Sequence, residues 1–166
     1  MQIIGASMEL DLYDVAILDA VQDCNLLTAD QLSERINLSP TACKRRLRKL
    51  REAGVIRADV SLLNPSVLGA GITCIVHVSL ESEQRDRLTA FRTQIATYEE
   101  VTQCYYVTGE ADFVLVVVTS DMEAYGLFTE RAFFGNQNIR SFHTFMVMKT
   151  VKYTTRIKLP DLRGNG

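Results

Sequence analysis

The stretch Leu38-Ser39-Pro40-Thr41-Ala42-Cys43-Lys44-Arg45-Arg46-Leu47-Arg48-Lys49-Leu50-Arg51-Glu52-Ala53-Gly54 decides how this chain reads. Ser39 is a favoured N-cap, Pro40 suits the first helical position because its missing N–H would be unsatisfied there anyway, and Gly54 stands where a C-terminal cap belongs. The spacing predicts a helix from about Pro40 to Ala53. On a helix Cys43, Leu47 and Leu50 share one face, and Thr41, Lys44, Arg45, Arg48 and Lys49 share the opposite one. The first face packs; the second is left for a partner.

Charge says what kind of partner. From Arg35 to Arg57 there are eight basic residues and a single acid, Glu52, on a chain whose formal net charge is −2. So local a surplus on an acidic protein points to one basic face aimed at a polyanion, and DNA is the obvious one. A solvated helix that binds nothing usually mixes both signs, and residues 41–51 contain no acid.

Working towards the N-terminus, Leu10, Asp14, Ile17, Leu18 and Val21 recur with helical period, and Asp11 is placed to cap a helix from about Leu12 to Asp23. Asp14, the polar member of that face, reads as a hydrogen bond holding the next helix. Thr28-Ala29-Asp30-Gln31 has the capping-box form and opens a short helix that ends near Asn37. Two short helices across a tight turn, the second of them basic, form the pattern of a helix-turn-helix. The N-terminal part of the reading helix then nominates Thr41, Lys44 and Arg45 for base edges. Ser39 with the first-turn amides suits a phosphate, and Arg46, Arg48, Lys49 and Arg51 would position the backbone. Ile56 to Leu63 has strand character, with Arg57 as a small wing.

Working towards the C-terminus, the turn-forming cluster Asn64-Pro65-Ser66 and Gly69-Ala70-Gly71 separates two domains. Ile72–Leu80 alternates as a strand. Leu88, Phe91 and Ile95 mark a helix from about Ser82 to Ala96. Val101–Val107 and Phe113–Thr119 flank the turn Thr108-Gly109-Glu110-Ala111-Asp112. Ser120-Asp121-Met122-Glu123 reads as a capping box, and Ile139 to about Tyr153 as a long last strand. The order β-α-β-β-α-β is that of a ferredoxin-like fold, whose helices cover one face of the sheet. The other face needs a partner, and a second copy is the natural one.

At 166 residues, 47% hydrophobic and 23% charged, the composition is that of an ordinary globular protein. The longest apolar run, Phe113 to Val118, is far too short to cross a bilayer, and no basic region leads into an apolar core at the N-terminus, so neither a membrane partner nor a secretory signal is expected. Met8 is the expected functional start. Cys24, Cys43, Cys74 and Cys104 have no metal or redox spacing and read as reduced core cysteines of a cytoplasmic protein.

With both halves in place the chain resembles the Lrp/AsnC, or feast/famine, family of transcription factors from Met8 to about Arg156. The matching residues are Leu10-Asp11-x-x-Asp14-x-x-Ile17-Leu18 and Leu38-Ser39-Pro40-Thr41-x-Cys43-x-x-Arg46-x-x-Leu50-x-x-x-Gly54-Val55-Ile56. Leu63-Asn64-Pro65, Gly109-Glu110-x-Asp112-Phe113 and Val147-Met148-x-x-Val151-Lys152 complete the set. The resemblance implies an α+β protein: an N-terminal winged helix-turn-helix over 8–63, a linker over 64–71, a ferredoxin-like (RAM/ACT-like) ligand-binding and oligomerisation domain over 72–156, and a tail over 157–166. It implies a sequence-specific DNA-binding regulator, nucleoid-associated, that dimerises through its sheet and assembles further, commonly as octamers. No cofactor is implied beyond an amino-acid effector.

Carried over residue by residue, the effector region is Thr108, Gly109, Glu110 and Asp112, with Met122 and Phe145 to Val147 as further response positions. Many relatives have Asp where this chain has Glu110, a change that could narrow the site. The bare reading of Gly109 and Asp112 is a good hairpin turn. A siroheme decarboxylase of similar fold is the enzyme alternative and would use His77 and His143. No phosphate loop, metal spacing or nucleophile motif supports an enzyme. A pure amino-acid-binding or assembly module, as in relatives that lack the DNA half this chain keeps, and a weakly specific architectural DNA binder are the remaining alternatives.

Overall fold

The computed structural model describes residues 9–65, 67–69 and 71–160; Met1–Ser7, Met8 as a functional start, and the last six residues of the expected tail lie outside these. The chain divides into a helical unit, Met1–Leu62 with Lys152–Gly166, and a sheet unit, Leu63–Val151.

Among the described residues three helices build the helical unit: α1 (Leu12–Asp23), α2 (Ala29–Ile36) and α3 (Pro40–Glu52). Each starts where its cap residue says it should. The Asp11 carboxylate accepts from Asp14 N at 2.9 Å, the Thr28 hydroxyl from Gln31 N at 3.2 Å and the Ser39 hydroxyl from Ala42 N at 3.3 Å, each satisfying an otherwise orphaned first-turn amide. Asn37 ends α2 in the left-handed region at φ 59°, and Gly54 does so beyond α3 at φ 71°. Ile17, Leu18 and Leu50 form one buried cluster, and Ala20, Leu32 and Cys43 another.

The strand expected over Ile56–Leu63 does not form among the described residues. The helical unit offers no neighbouring strand to pair with, and Asp59 is instead held by both Arg51 Nε at 2.8 Å and Arg51 Nη2 at 3.1 Å.

The sheet unit contains β1 (Ile72–Leu80), α4 (Arg85–Ile95), β2 (Val101–Tyr106), β3 (Phe113–Thr119), α5 (Met122–Thr129) with a π-helical turn at Glu130–Phe134, and β4 (Ile139–Met146). The strands lie in the order β2-β3-β1-β4, all neighbours antiparallel, as the ferredoxin-like reading expects. Alternate residues of β1 and β3 (Cys74, Val76, Val78, Leu80; Phe113, Leu115, Val117) pack under Phe91, Ile95, Tyr125, Phe128 and Phe133. The residues between them, including Ile75, His77, Val114, Val116 and Val118, look out from the opposite face and are only half-buried.

Three boundaries move, each for a local reason. Helix α4 begins at Arg85 rather than Ser82, because the Asn138 side chain holds both Ser82 N and Ser82 O at 3.2 Å, outside the helix. The cap of α5 is Asp121, which accepts from Ala124 N at 2.8 Å, and not Ser120. Strand β4 stops at Met146 instead of Tyr153: Val147 N still reaches Thr73 O at 2.9 Å, but β1 begins at Ile72 and offers nothing further to pair with. By its contacts, the described segment from Lys152 to Pro160 groups with the helices. Of the four free cysteines only Cys43 and Cys74 are core residues, while Cys24 and Cys104 are exposed because they fall on a helix cap and an edge strand.

Candidate nucleic-acid interface and effector region

On α3, Cys43 and Leu50 are buried against α1 and α2, and that phase turns Thr41, Lys44, Arg45, Arg48 and Lys49 outward, all exposed. Lys44, Arg45 and Lys49 make no ion pair among the described residues. Arg48 has only a loose contact with Glu52 at 3.6 Å, both side chains well exposed, which water screens almost completely. Ser39 is exposed at the start of the same helix, its oxygen occupied by Ala42 N and its hydroxyl proton left to donate. The outer face is therefore an unneutralised cationic surface on a rigid element, as groove recognition needs.

Arg46 has to be taken out of that surface. Its Nη1 donates to Asp11 Oδ2 and to Asp14 Oδ1, each at 2.8 Å, and its guanidinium lies 5.5 Å from the Tyr13 ring centroid. Asp14 is only 4% exposed, and a buried carboxylate demands a cation; Arg46 is that cation. The hydrogen bond to Asp14 raises the Arg46 pKa further, with Asp11 adding to it. Partial burial pushes the Asp11 carboxyl up, but the amide of Asp14 and the Arg46 guanidinium outweigh that and hold it below its ordinary value. Asp14 thus holds a helix, as its place on the apolar face suggested, but the helix is α3, thirty-two residues away. Arg51, offered as a backbone contact, is likewise engaged by Asp59, whose carboxyl it holds below the usual range.

The expected effector residues do not come together in one chain. Thr108, Gly109 and Glu110 are exposed in the β2–β3 turn, where Gly109 adopts φ 133°, a conformation that side chains rarely tolerate. Asp112 serves the turn itself: its Oδ2 accepts from Leu80 N at 2.6 Å, its N donates to Val78 O at 3.0 Å, and its O accepts from Val107 N at 2.9 Å. Ser79 donates its hydroxyl to Glu110 O at 3.3 Å, leaving the Glu110 carboxylate free of the turn's bonding.

Met122 lies beyond the far end of β3, which at seven residues is roughly 20 Å long. Phe145 is level with the middle of β3, opposite Ile75 in β1, which pairs with Val116, and it lies on the open face, its ring 5.0 Å from that of His77. The Thr144 hydroxyl, one residue earlier, meets Tyr125 of α5 at 2.5 Å on the helical side. Turn, helix start and open face are thus three separate places. A groove of about 370 Å³ between α4 and edge strand β2, lined by Arg92, Cys104, Tyr106 and Phe113, includes none of them.

His77 and His143 are direct cross-strand partners on the open face. Among the described residues no three His, Cys, Asp or Glu side chains are grouped to hold a metal, and no helix is long and apolar enough to cross a membrane.

Two family models match the chain: a winged helix-turn-helix DNA-binding model over residues 10–57 and the Lrp/AsnC ligand binding domain over residues 73–157. The HTH-type transcriptional regulator y4tD of Sinorhizobium fredii is 49% identical over 153 residues, 92% of this chain and 90% of that protein. The leucine-responsive regulatory protein of Rhizobium meliloti is 33% identical, over 92% of this chain and 97% of that one. Among solved structures, a transcriptional regulator of Neisseria meningitidis in complex with L-Met superposes with a TM-score of 0.85 at 32% identity, covering 90% of this chain and 97% of that one.

Proposed function

The chain belongs to the Lrp/AsnC family of transcriptional regulators, and from that premise we propose how this member works: it reads double-stranded DNA in the cytoplasm through the outer face of α3, as a homo-oligomer modulated by an amino acid. The observation that carries the reading is the split of α3 into a packed, neutralised side containing Arg46 and an outward side on which Thr41, Lys44, Arg45, Arg48 and Lys49 stand exposed. Thr41, Lys44 and Arg45, nearest the helix start, meet base edges; Arg48, Lys49 and Ser39 meet phosphates.

The open sheet face supports self-association. Ile75, Val114, Val116 and Val118 are half-buried there and Phe145 is 53% exposed, a cluster that a second copy would cover. Effector binding follows the same logic. Glu110 in the turn and Met122 beyond the other end of β3 cannot contact one small molecule within a chain, so the site is completed by a neighbouring copy, as the family resemblance implies. The Glu110 carboxylate meets the ammonium group, Gly109 admits close backbone approach, and an apolar side chain contacts Met122. The solved relative with L-Met supports an amino acid as the class.

Replacing Lys44, Arg45, Arg48 and Lys49 together by alanine tests the reading. Duplex binding should disappear with the melting temperature unchanged, and binding that survived would remove α3 as the reader. A panel of amino acids that includes L-Met, followed by sedimentation with and without duplex, tests the effector half. Unchanged assembly and unchanged affinity with every amino acid would remove it.

A further inference from the structure

The last described residues do something that neither the DNA-reading nor the effector assignment uses. After β4 ends at Met146, the chain returns to the helical unit and docks on α1. Arg156 Nη2 lies 2.5 Å from Asp19 Oδ1, and Arg156 Nη1 also bonds Asp23. Ile157 is gripped through its backbone: its N donates to Gln22 Oε1 at 2.8 Å, and Gln22 Nε2 donates to its O at 3.2 Å. Leu159 packs against the buried cluster of Ile17, Leu18 and Leu50. Asp19, Gln22 and Asp23 follow the i, i+3, i+4 spacing of one helical face, so α1 presents a single strip to the segment.

We propose that Arg156–Leu159 is a second tether, which makes the helix-turn-helix doubly linked to the sheet unit. One covalent segment, from Leu63 to Gly71, leads out to β1; a second, from Val147 to Thr155, leads back from β4 to α1. The ion pairs are exposed and weak on their own, but the docking is intramolecular. Nine connecting residues reach at most about 30 Å, so the local concentration of the anchor is high. Both segments leave the sheet at one end, because Met146 of β4 pairs with Cys74 near the start of β1. Phe145 stands at the root of the returning segment.

The anchor is also in series with the reader. Helix α1 takes Arg156, Ile157 and Leu159 on its C-terminal half and holds α3 at its N-terminal end through Asp11 and Asp14 on Arg46. A displacement at the end of β4 therefore has a covalent route to α1, and through it to α3, that bypasses the outward linker. The tether reading does not depend on any effector.

The test reads orientation apart from stability. With Cys24→Ser and Glu34→Cys, spin labels fall on α2 and on the native exposed Cys104, while Cys43 and Cys74 stay buried. Dilution with unlabelled chain leaves only intrachain pairs in the electron–electron distance measurement. The labelled full chain should give a narrow distance distribution, and a chain ending at Thr155 should give one at least twice as wide. A synthetic peptide of residues 152–166 added in trans should restore the melting temperature of the shortened chain but not the narrow width. An unchanged width after truncation would overturn the proposal. So would a peptide that restored the width, since the segment would then be a cap and not a tether. If the shortened chain does not fold, Arg156→Ala with Leu159→Ala at full length gives the same reading: broadening is expected, and an unchanged width overturns it.

Discussion

Asp14 on α1 and Arg46 on α3 meet at 2.8 Å, with the Asp14 side chain 6% and the Arg46 side chain 25% exposed. The pair fixes which way the reading helix is rolled. Arg46 is drawn inward, and the phase of the helix then sends Thr41, Lys44, Arg45, Arg48 and Lys49 outward together.

Arg46→Ala should therefore act first on stability. It leaves a buried carboxylate without its cation, an effect of about 3–5 kcal/mol for fully buried pairs that partial exposure of Arg46 brings down to about 2 kcal/mol. Denaturant melts of the helical unit check this. Arg46→Lys should recover part of the loss, since one Arg46 nitrogen makes both bonds in the parent. Loss of DNA binding by Arg46→Ala at full stability would mean that Arg46 contacts DNA after all.

Acid should loosen the helical unit. Asp11 and Asp59 both have carboxyls held below the ordinary value, in each case against the opposing push of desolvation: Asp11 by the Asp14 amide and Arg46, Asp59 by Arg51. A carboxyl whose folded pKa is depressed contributes stability that is complete above its unfolded value, about 4, and is lost as pH falls through the lower folded value. Thermal melts from pH 6 down to pH 2.5 should show the decline beginning near pH 4. Asp59→Asn should make it shallower, and a parent profile flat through pH 3 would contradict this.

In the effector region the two acids should separate. Asp112→Ala removes the acceptor for Leu80 N and should destabilise the sheet unit by about 1–3 kcal/mol. Glu110→Ala should leave the melt within about 0.5 kcal/mol of the parent, because that carboxylate holds nothing in the turn, yet abolish any amino-acid response. Equal destabilisation by both would make Glu110 a fold residue.

Along α3 the position of a basic residue should set the kind of loss. Arg45→Ala should narrow the gap between preferred and scrambled duplexes. Lys49→Ala should weaken both alike and lower the slope of log affinity against log salt by about one. Competition binding at several salt concentrations distinguishes the two, and indistinguishable profiles would refute the division into base and phosphate contacts.

Helices and strands were legible wherever one short-range signal dominated. The caps at Asp11, Thr28 and Ser39, the period of α1, and the alternation of Ile72–Leu80 and Phe113–Thr119 all appear where their residues indicated. What the sequence hid depends on partners distant along the chain. Arg46 looks like every other arginine of α3 until Asp14 is known to be buried beside it. Residues after Met146 keep strand-like composition but run out of β1 to pair with. The docking of Arg156 on Asp19 spans 137 residues and leaves no local pattern. The candidate effector residues rest on family likeness alone, and their separation along and across the sheet could not be read from spacing.

Sequence reading by the outer face of α3 is tested most directly with the DNA upstream of this protein's own gene and a scrambled duplex of equal length, titrated across a salt series. The native duplex should bind more tightly at every salt concentration, and both affinities should fall steeply as salt rises. Equal affinity for the two duplexes would contradict sequence reading and leave an architectural DNA binder, and absence of binding at low salt would contradict DNA recognition by this face altogether.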